Sequence, residues 1–262
     1  MLNLLPEIVI CVWDSCIDNA KHIESQLLKF NPIIIDSTSN SNFNSEHKSR
    51  NIFIEQLNKA LILSNPSKYV IYISGDAVME NWDELIDRTN DVFNKEKPFV
   101  YSPYITFEGY PSEKVKLQAQ LADEKLELGV MTDGIVFALS KETCEFIRLF
   151  TNYLLEKSTH SYKVGWGLDW SWSIFSILNK KLIVRDKKLR IYHPKSTSYS
   201  TDVARTELSL ILQELTSFIE QFGFSRIQTN RVIYAISERL KSNPKYLSTE
   251  AFYSKELLGL KP

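Results

Sequence analysis

The chain has 262 residues, 44% of them apolar and 12% aromatic, enough for one large core or for a core with a helical appendage. Lysine and arginine total 31 against 32 acids, a formal charge of -1, which argues against polyanion binding by bulk charge and gives no strong nucleic-acid signal. No apolar run approaches the roughly 20 residues of a transmembrane segment, and three cysteines without CxxC spacing point to reduced structural thiols in a cytoplasmic protein, not to a zinc site.

The opening MLNLLPEIVICVW is apolar but short, has no basic lead-in and contains Pro6 and Glu7, so it reads as the approach to a strand and not as a signal peptide. EIVICVW (7–13) is that strand, and AKHIESQLLKF (20–30) follows with helical spacing of Ile23, Leu27 and Leu28. PIIIDS (32–37) is a second short strand ending in Asp36. A polar loop and a helix over 51–64 come next, with Ile54, Leu57 and Leu61 on one face. KYVIYIS (68–74) is the most apolar strand of the chain and runs into Gly75 and Asp76, before a helix with an acidic first turn.

The middle contains strands within 98–111 and 134–139. The second passes into a helix near Ser140, a plausible N-cap with Glu142 close behind, that continues through FIRLFTNYLLEK. GWGLDW (165–170) opens another helix, and LIVRDKKLRIYHPKSTSY (182–199) reads as strands ending in a polar loop that carries His193. Beyond Ala204 the pattern is amphipathic helix, so a soft boundary falls at 202, separating a body over 1–202 from a helical region over 203–262. These helices can pack on the core, pair two copies into a homodimer, or present an acceptor.

Strands alternating with helices imply an α/β sheet, whose ligands sit outside the carboxyl ends of the strands. The polar groups at those ends are Trp13, Asp14 and Ser15, then Asp36, then Gly75 and Asp76. Asp76 has two readings: a carboxylate offered to a metal-bound phosphate, with Gly75 admitting a ligand, or a turn acid capping a helix. Asp169 likewise is either a base beside the indoles Trp166 and Trp170 or an N-terminal capping acid. His193 is either a hydrogen-bonded structural residue or a cation ligand, with Lys195 and Tyr199 on its loop available to phosphate oxygens. Arg50, before the helix at 52–63, either approaches a diphosphate or is an exposed helix-start charge.

A strand-end Asp, a later GWG segment with an acid opening a helix, and then a His loop resemble the nucleotide-sugar glycosyltransferases of the glycosyltransferase-A fold, over roughly residues 7 to 200. Ser74, Gly75 and Asp76 stand where that family has its Asp-x-Asp metal motif. Gly165, Trp166, Gly167 and Asp169 stand where animal galactosyltransferases have GWGxED. The chain departs from both patterns, having Ser74 in place of the first acid and a single acid in GLDW.

The resemblance implies a Rossmann-like mixed sheet flanked by helices with a C-terminal helical appendage. It implies Mn²⁺ or Mg²⁺ held by Asp76 and His193, and a donor, most simply a UDP-sugar, bound by Trp13, Asp14, Asp36, Arg50, Gly75, Asp76 and Lys195. The acceptor, a hydroxyl of a glycan, a protein or another molecule, would meet Asp133, Gly134, Gly165, Trp166, Gly167 and Trp170. Asp169 would be the base of an inverting displacement. Two alternatives stay open: a nucleotide- or carbohydrate-binding module of the same fold without turnover, and a nucleotidyltransferase. The phosphate loop of the latter is missing from VWDSCIDN, and no GxSxG motif marks a hydrolase.

Overall fold

The computed structural model of the chain describes residues 6–38, 52–64, 66, 68–106, 116–117, 121, 123–160, 162, 165–193 and 201–240. The first apolar runs form β1 (Glu7–Val12), α1 (Ile17–Leu27), β2 (Ile33–Asp36), α2 (Ile52–Leu63), β3 (Tyr69–Ser74) and α3 (Trp82–Lys95). Helix α1 starts earlier than its apolar spacing suggests and tightens into a 3₁₀ turn over Leu28–Phe30. Asn31 closes that turn at φ 51, a conformation asparagine tolerates. Asn81 caps α3 by accepting the Glu84 N–H, and Asp83 and Glu84 supply the expected acidic first turn.

Strands β4 (Val100–Thr106), β5 (Lys116–Leu117), β6 (Leu126–Gly129) and β7 (Val136–Ser140) follow, then α4 (Lys141–Glu156), α5 (Leu168–Leu178), β8 (Ile183–Tyr192), α6 (Thr201–Phe218) and α7 (Arg226–Leu240). Ser140 is the N-cap of α4, accepting the Thr143 N–H. The strands at 182–192 are a single strand broken by a bulge. Two short strands, β5 and β6, were not expected.

The sheet is mixed, in the order β2-β1-β3-β7-β4-β8-β6-β5. β1, β2, β3, β4, β5 and β8 run one way, with β7 and β6 against them. One edge therefore collects the carboxyl ends of six strands and the residues that lead into antiparallel β7. Alternation splits the strands between two cores: Ile8, Ile10 and Ile73 meet α1 and α3, while Val9, Cys11, Tyr72 and Phe137 meet α2, α4 and α5. Ile211, Leu215 and Phe218 of α6 and Val232 and Ile236 of α7 belong to that second core. All three cysteines are buried and unbridged.

The junction of α4, α5 and the C-terminal helices is aromatic. Phe146 stacks on Phe175 at 4.0 Å between centroids and meets Phe222 at 5.2 Å and Phe218 at 6.0 Å. Phe146→Ala should therefore cost about 3–5 kcal/mol in urea unfolding. A loss below about 1 kcal/mol would show that this cluster does not tie α6 and its neighbours to the core.

Candidate active site

The turn after β3 is built by backbone. Ser74 N–H donates to Ile135 O at 2.9 Å and Gly75 N–H to Cys11 O at 2.8 Å, which fixes the turn to β1 and to the lead-in of β7. Asn19 of α1 donates through Nδ2 to Gly75 O at 2.7 Å and to Ala77 O at 2.8 Å, clasping Asp76 between two held carbonyls. Ser74 Oγ donates to Asp76 Oδ1 at 2.7 Å, and His193 Nε2 lies 2.9 Å from Asp76 Oδ2. A bridge between Val78 and Tyr192 brings β8's end to this turn, with reciprocal N–H···O contacts of 2.8 and 2.9 Å. Asp76 and His193 thus present a carboxylate and an imidazole together at the sheet edge.

The second half of the site comes from the lead-in to β7 and from α5. Trp172 Nε1 donates to Thr132 Oγ1 at 3.0 Å, and a Cβ built on Gly134 would lie 4.0 Å from Trp172 Cη2. Asp133 sits between those contacts, Asp169 is one helical turn before Trp172, and the repulsion of Asp133 on Asp169 marks the two carboxylates as neighbours in a partly enclosed recess. Burial, then repulsion from Asp133, pushes the Asp169 carboxyl up to about 7, against the N–H bond from Trp170. Burial likewise pushes Asp133 up to about 6, opposed by the positive fields of His193 and Arg185. Arg185, buried on β8 with its guanidinium 5.6 Å from the Tyr104 ring centre, connects this recess to the sheet.

Of the expected site residues, Asp76 and His193 are in contact and Asp133 and Asp169 are neighbours. Trp13, Asp14 and Asp36 stand at the ends of β1 and β2; Asp36 accepts the Thr38 N–H at 2.9 Å, and Trp13 Nε1 donates to Ser15 Oγ at 2.9 Å. Trp166 is 37% exposed, whereas Trp170, at 6%, packs into the core, so the second indole is not part of an acceptor surface.

The glycines have internal reasons. A Cβ on Gly75 would stand 2.5 Å from Cys11 O and 2.7 Å from Cys16 Sγ, so β1 and the turn after it, not a ligand, demand glycine there. Gly165 and Gly167 adopt φ 67 and 117, and a Cβ on Gly167 would be 3.1 Å from Leu208 Cδ1 of α6. Arg50, Lys195 and Tyr199 lie outside the described residues.

Asn19, Arg185 and Gln56 were not anticipated. Gln56 of α2 donates to Ser37 Oγ at 2.5 Å and to Val12 O at 3.4 Å, tying the ends of β1 and β2. Their contacts span 19 to 58 positions or rest on the pairing of β8, and a polar residue inside a helix or strand carries no local mark of such a partner. Among the described residues no three His, Cys, Asp or Glu side chains cluster as a metal-binding group, and no helix is long and apolar enough to cross a membrane.

No protein-family model matches the chain, and no curated protein matches it in sequence. Among solved structures, GalNAc-T7 with UDP, GalNAc and Mn²⁺ superposes with a TM-score of 0.53 at 10% identity, covering 98% of this chain and 55% of that one. S. aureus TarS 1-349 follows with 0.49, 10% identity and coverages of 97% and 73%. A glycosyltransferase involved in glycosylation of the major capsid of PBCV-1 gives 0.39, 8% identity and coverages of 78% and 90%. The first likeness carries the fold: this is a glycosyltransferase-A-like α/β architecture, a mixed sheet flanked by helices.

Folding raises both carboxyl pKa values above those of the unfolded chain, so it favours the protonated forms. The associated stability is complete below about pH 4 and is lost as pH rises through the folded values of about 6 and 7. Asp169→Asn should therefore melt above the wild type at pH 8, by on the order of 2 kcal/mol after allowing for solvent at the recess mouth, and match it near pH 4. Thermal melts across that range check this; a difference independent of pH would mean that the carboxyl is not confined.

Proposed function

We propose that the chain is a glycosyltransferase that moves a sugar from a nucleotide-sugar donor, a UDP-sugar in the simplest case, to an acceptor hydroxyl with inversion. The observation that carries this reading is the convergence, at one sheet edge, of the Asp76–His193 pair with the Asp133–Asp169 recess. The oxygen and nitrogen donors of Asp76 and His193 fit Mn²⁺ or Mg²⁺. Bound there, the cation would neutralise the diphosphate leaving group.

Trp13, Asp14 and Asp36 stand where the nucleoside would lie along the ends of β1 and β2, with Arg50 and Lys195 assigned to the diphosphate. The exposed face of Trp166 suits a sugar ring. Asp169 is held near neutrality, as a base that must be ionised yet strong enough to take a proton at physiological pH. It accepts the proton of the acceptor hydroxyl while the oxygen bonds to the anomeric carbon and the sugar–phosphate bond breaks on the opposite face. Asp133 adds to the proton affinity that burial gives Asp169, and Gly134 leaves space beside it.

A second reading, a nucleotide- or carbohydrate-binding module without turnover, is favoured by one observation: Ser74, not a second acid, precedes Asp76 and spends its hydroxyl on it.

Thermal shifts with UDP-, GDP-, CMP- and dTDP-sugars, each with Mn²⁺, Mg²⁺ or EDTA, separate these readings when combined with a transfer assay. We expect one nucleotide class to raise the melting temperature only with metal. Asp76→Ala should lose that shift, whereas Asp169→Asn should keep it and lose transfer by about 10³-fold. Asp133→Asn removes the repulsion on Asp169 and should move the rising limb of the pH–rate profile to lower pH. Binding without transfer would establish the module, and no shift with any donor, with or without metal, would defeat the transferase reading.

A further inference from the structure

The GWG turn that carries Trp166 and Asp169 is held only in part by its own helix: the Leu168 N–H reaches Gly165 O and the Ser171 N–H reaches Gly167 O, both at 3.3 Å, and the Trp170 N–H reaches Asp169 Oδ1 at 3.0 Å. Gly167 is the N-cap of α5, with no side chain to accept the first N–H groups, which an ordinary helix start leaves in need of a partner. A further hold comes from α6. Glu207, only 3% exposed, accepts the Gly165 N–H through Oε2 at 2.8 Å across 42 positions. One turn of the same helix then lies against Gly167, where a Cβ would be 3.1 Å from Leu208 Cδ1 and 3.4 Å from Ile211 Cγ2.

Seven residues after Glu207, on the same stripe of α6, Glu214 accepts from Tyr153 Oη at 2.7 Å and from Ser158 Oγ at 3.0 Å, with His160 Nε2 at 3.7 Å. The connection from α4 to α5 is thereby anchored on α6 at both ends. A carboxylate buried this deeply is costly unless its bonds are needed.

We propose that Glu207 is a positioning residue for Asp169, so that α6 sets the acceptor side of the site. This rests on the reading of Asp169 as the base and Trp166 as the sugar platform. Asp169 is the second residue of α5, and its carboxylate can move no less than the turn that starts the helix. A displacement of about 1 Å at a reacting group is enough to cost on the order of 10²-fold in rate.

The test compares Glu207→Ala, which removes the acceptor, with Glu207→Gln, whose amide oxygen still receives the Gly165 N–H. Three quantities are read: melting temperature, hydrogen exchange of the amides at 165–170, and kcat with donor KM. Glu207→Ala should exchange faster at 165–170 and lose kcat by on the order of 10²-fold, with donor KM within about twofold. Glu207→Gln should restore the slow exchange and bring kcat to within about fivefold of the wild type. Gly167→Ala, which pushes the turn away from Leu208, should reproduce the loss of kcat and serves if Glu207→Ala does not fold.

Unchanged exchange at 165–170 in Glu207→Ala would overturn the tether. So would a rise in donor KM equal to the loss of kcat, or a Gln variant as impaired as the Ala variant. Should the wild type transfer no sugar at all, the enzymatic reading fails by itself, and the exchange measurement still decides whether Glu207 holds the turn.

Discussion

The site depends on one buried carboxylate that is not part of it. Asp186, with no solvent exposure, accepts from Arg88 Nε at 2.5 Å, from Tyr101 Oη at 3.2 Å and from the Lys188 N–H at 2.8 Å. An isolated carboxylate at that depth would cost several kcal/mol, so it persists only because three donors meet it. The last donor is the informative one. The register of β4 against β8 jumps from Pro103↔Asp186 to Tyr104↔Arg190, so β8 carries three extra residues there, and Asp186 caps the loop they make. A bulge of this kind bends its strand. Two strands, β7 and β4, separate β3 from β8 in the sheet, about 14 Å from axis to axis. Beyond that bulge β8 runs on to pair Tyr192 with Val78, four residues past the end of β3, which puts His193 on Asp76.

The same fold treats its other enclosed carboxylates differently. Asp186 has a donor for each demand and serves geometry. Asp133 and Asp169 lie beside one another, burial pushes both up, to about 6 and 7, and Asp133 adds repulsion to Asp169. A protein selected for stability alone would have no reason to keep both as acids. Local cost only partly compensated is what marks a candidate site, and the contrast with Asp186 shows that the chain can satisfy a buried acid when geometry is all that is needed.

What the sequence makes legible follows from the range of the forces involved. β1 and β3 stand out because apolar β-branched runs end abruptly in polar turns, and the acids at those ends are legible with them. Ser140 and the acidic start of α3 are equally local. The bulge in β8 is not, since LIVRDKKLRIY alternates well enough to be read as strand throughout, and only pairing with β4 reveals the three residues that leave the ladder. β6 escapes because LELG is four residues long and carries Glu127 into a buried position opposite Arg185. The glycines of GWGLDW advertise a close approach without saying of what; it is Leu208 of α6 that approaches, and Trp170 that turns inward. His193 could be paired with Asp76 before the fold was in view only through the family resemblance, because 117 positions separate them.

The two halves of the site are made of different materials. The edge that carries Asp76 is fixed chiefly by main-chain bonds to β1, β8 and the lead-in of β7, with the side chains of Asn19 and Ser74 added to them. The recess of Asp169 is fixed by side chains: an indole on Thr132, a carboxylate on Gly165, and two aliphatic residues against a glycine. Main-chain contacts survive substitution, whereas side-chain contacts change with it. On the proposed reading, a scaffold divided in this way holds a constant phosphate-bearing donor at the sheet edge while the helices that face it vary. The stripe of α6 from Glu207 to Glu214 is then where differences in the second ligand would be written.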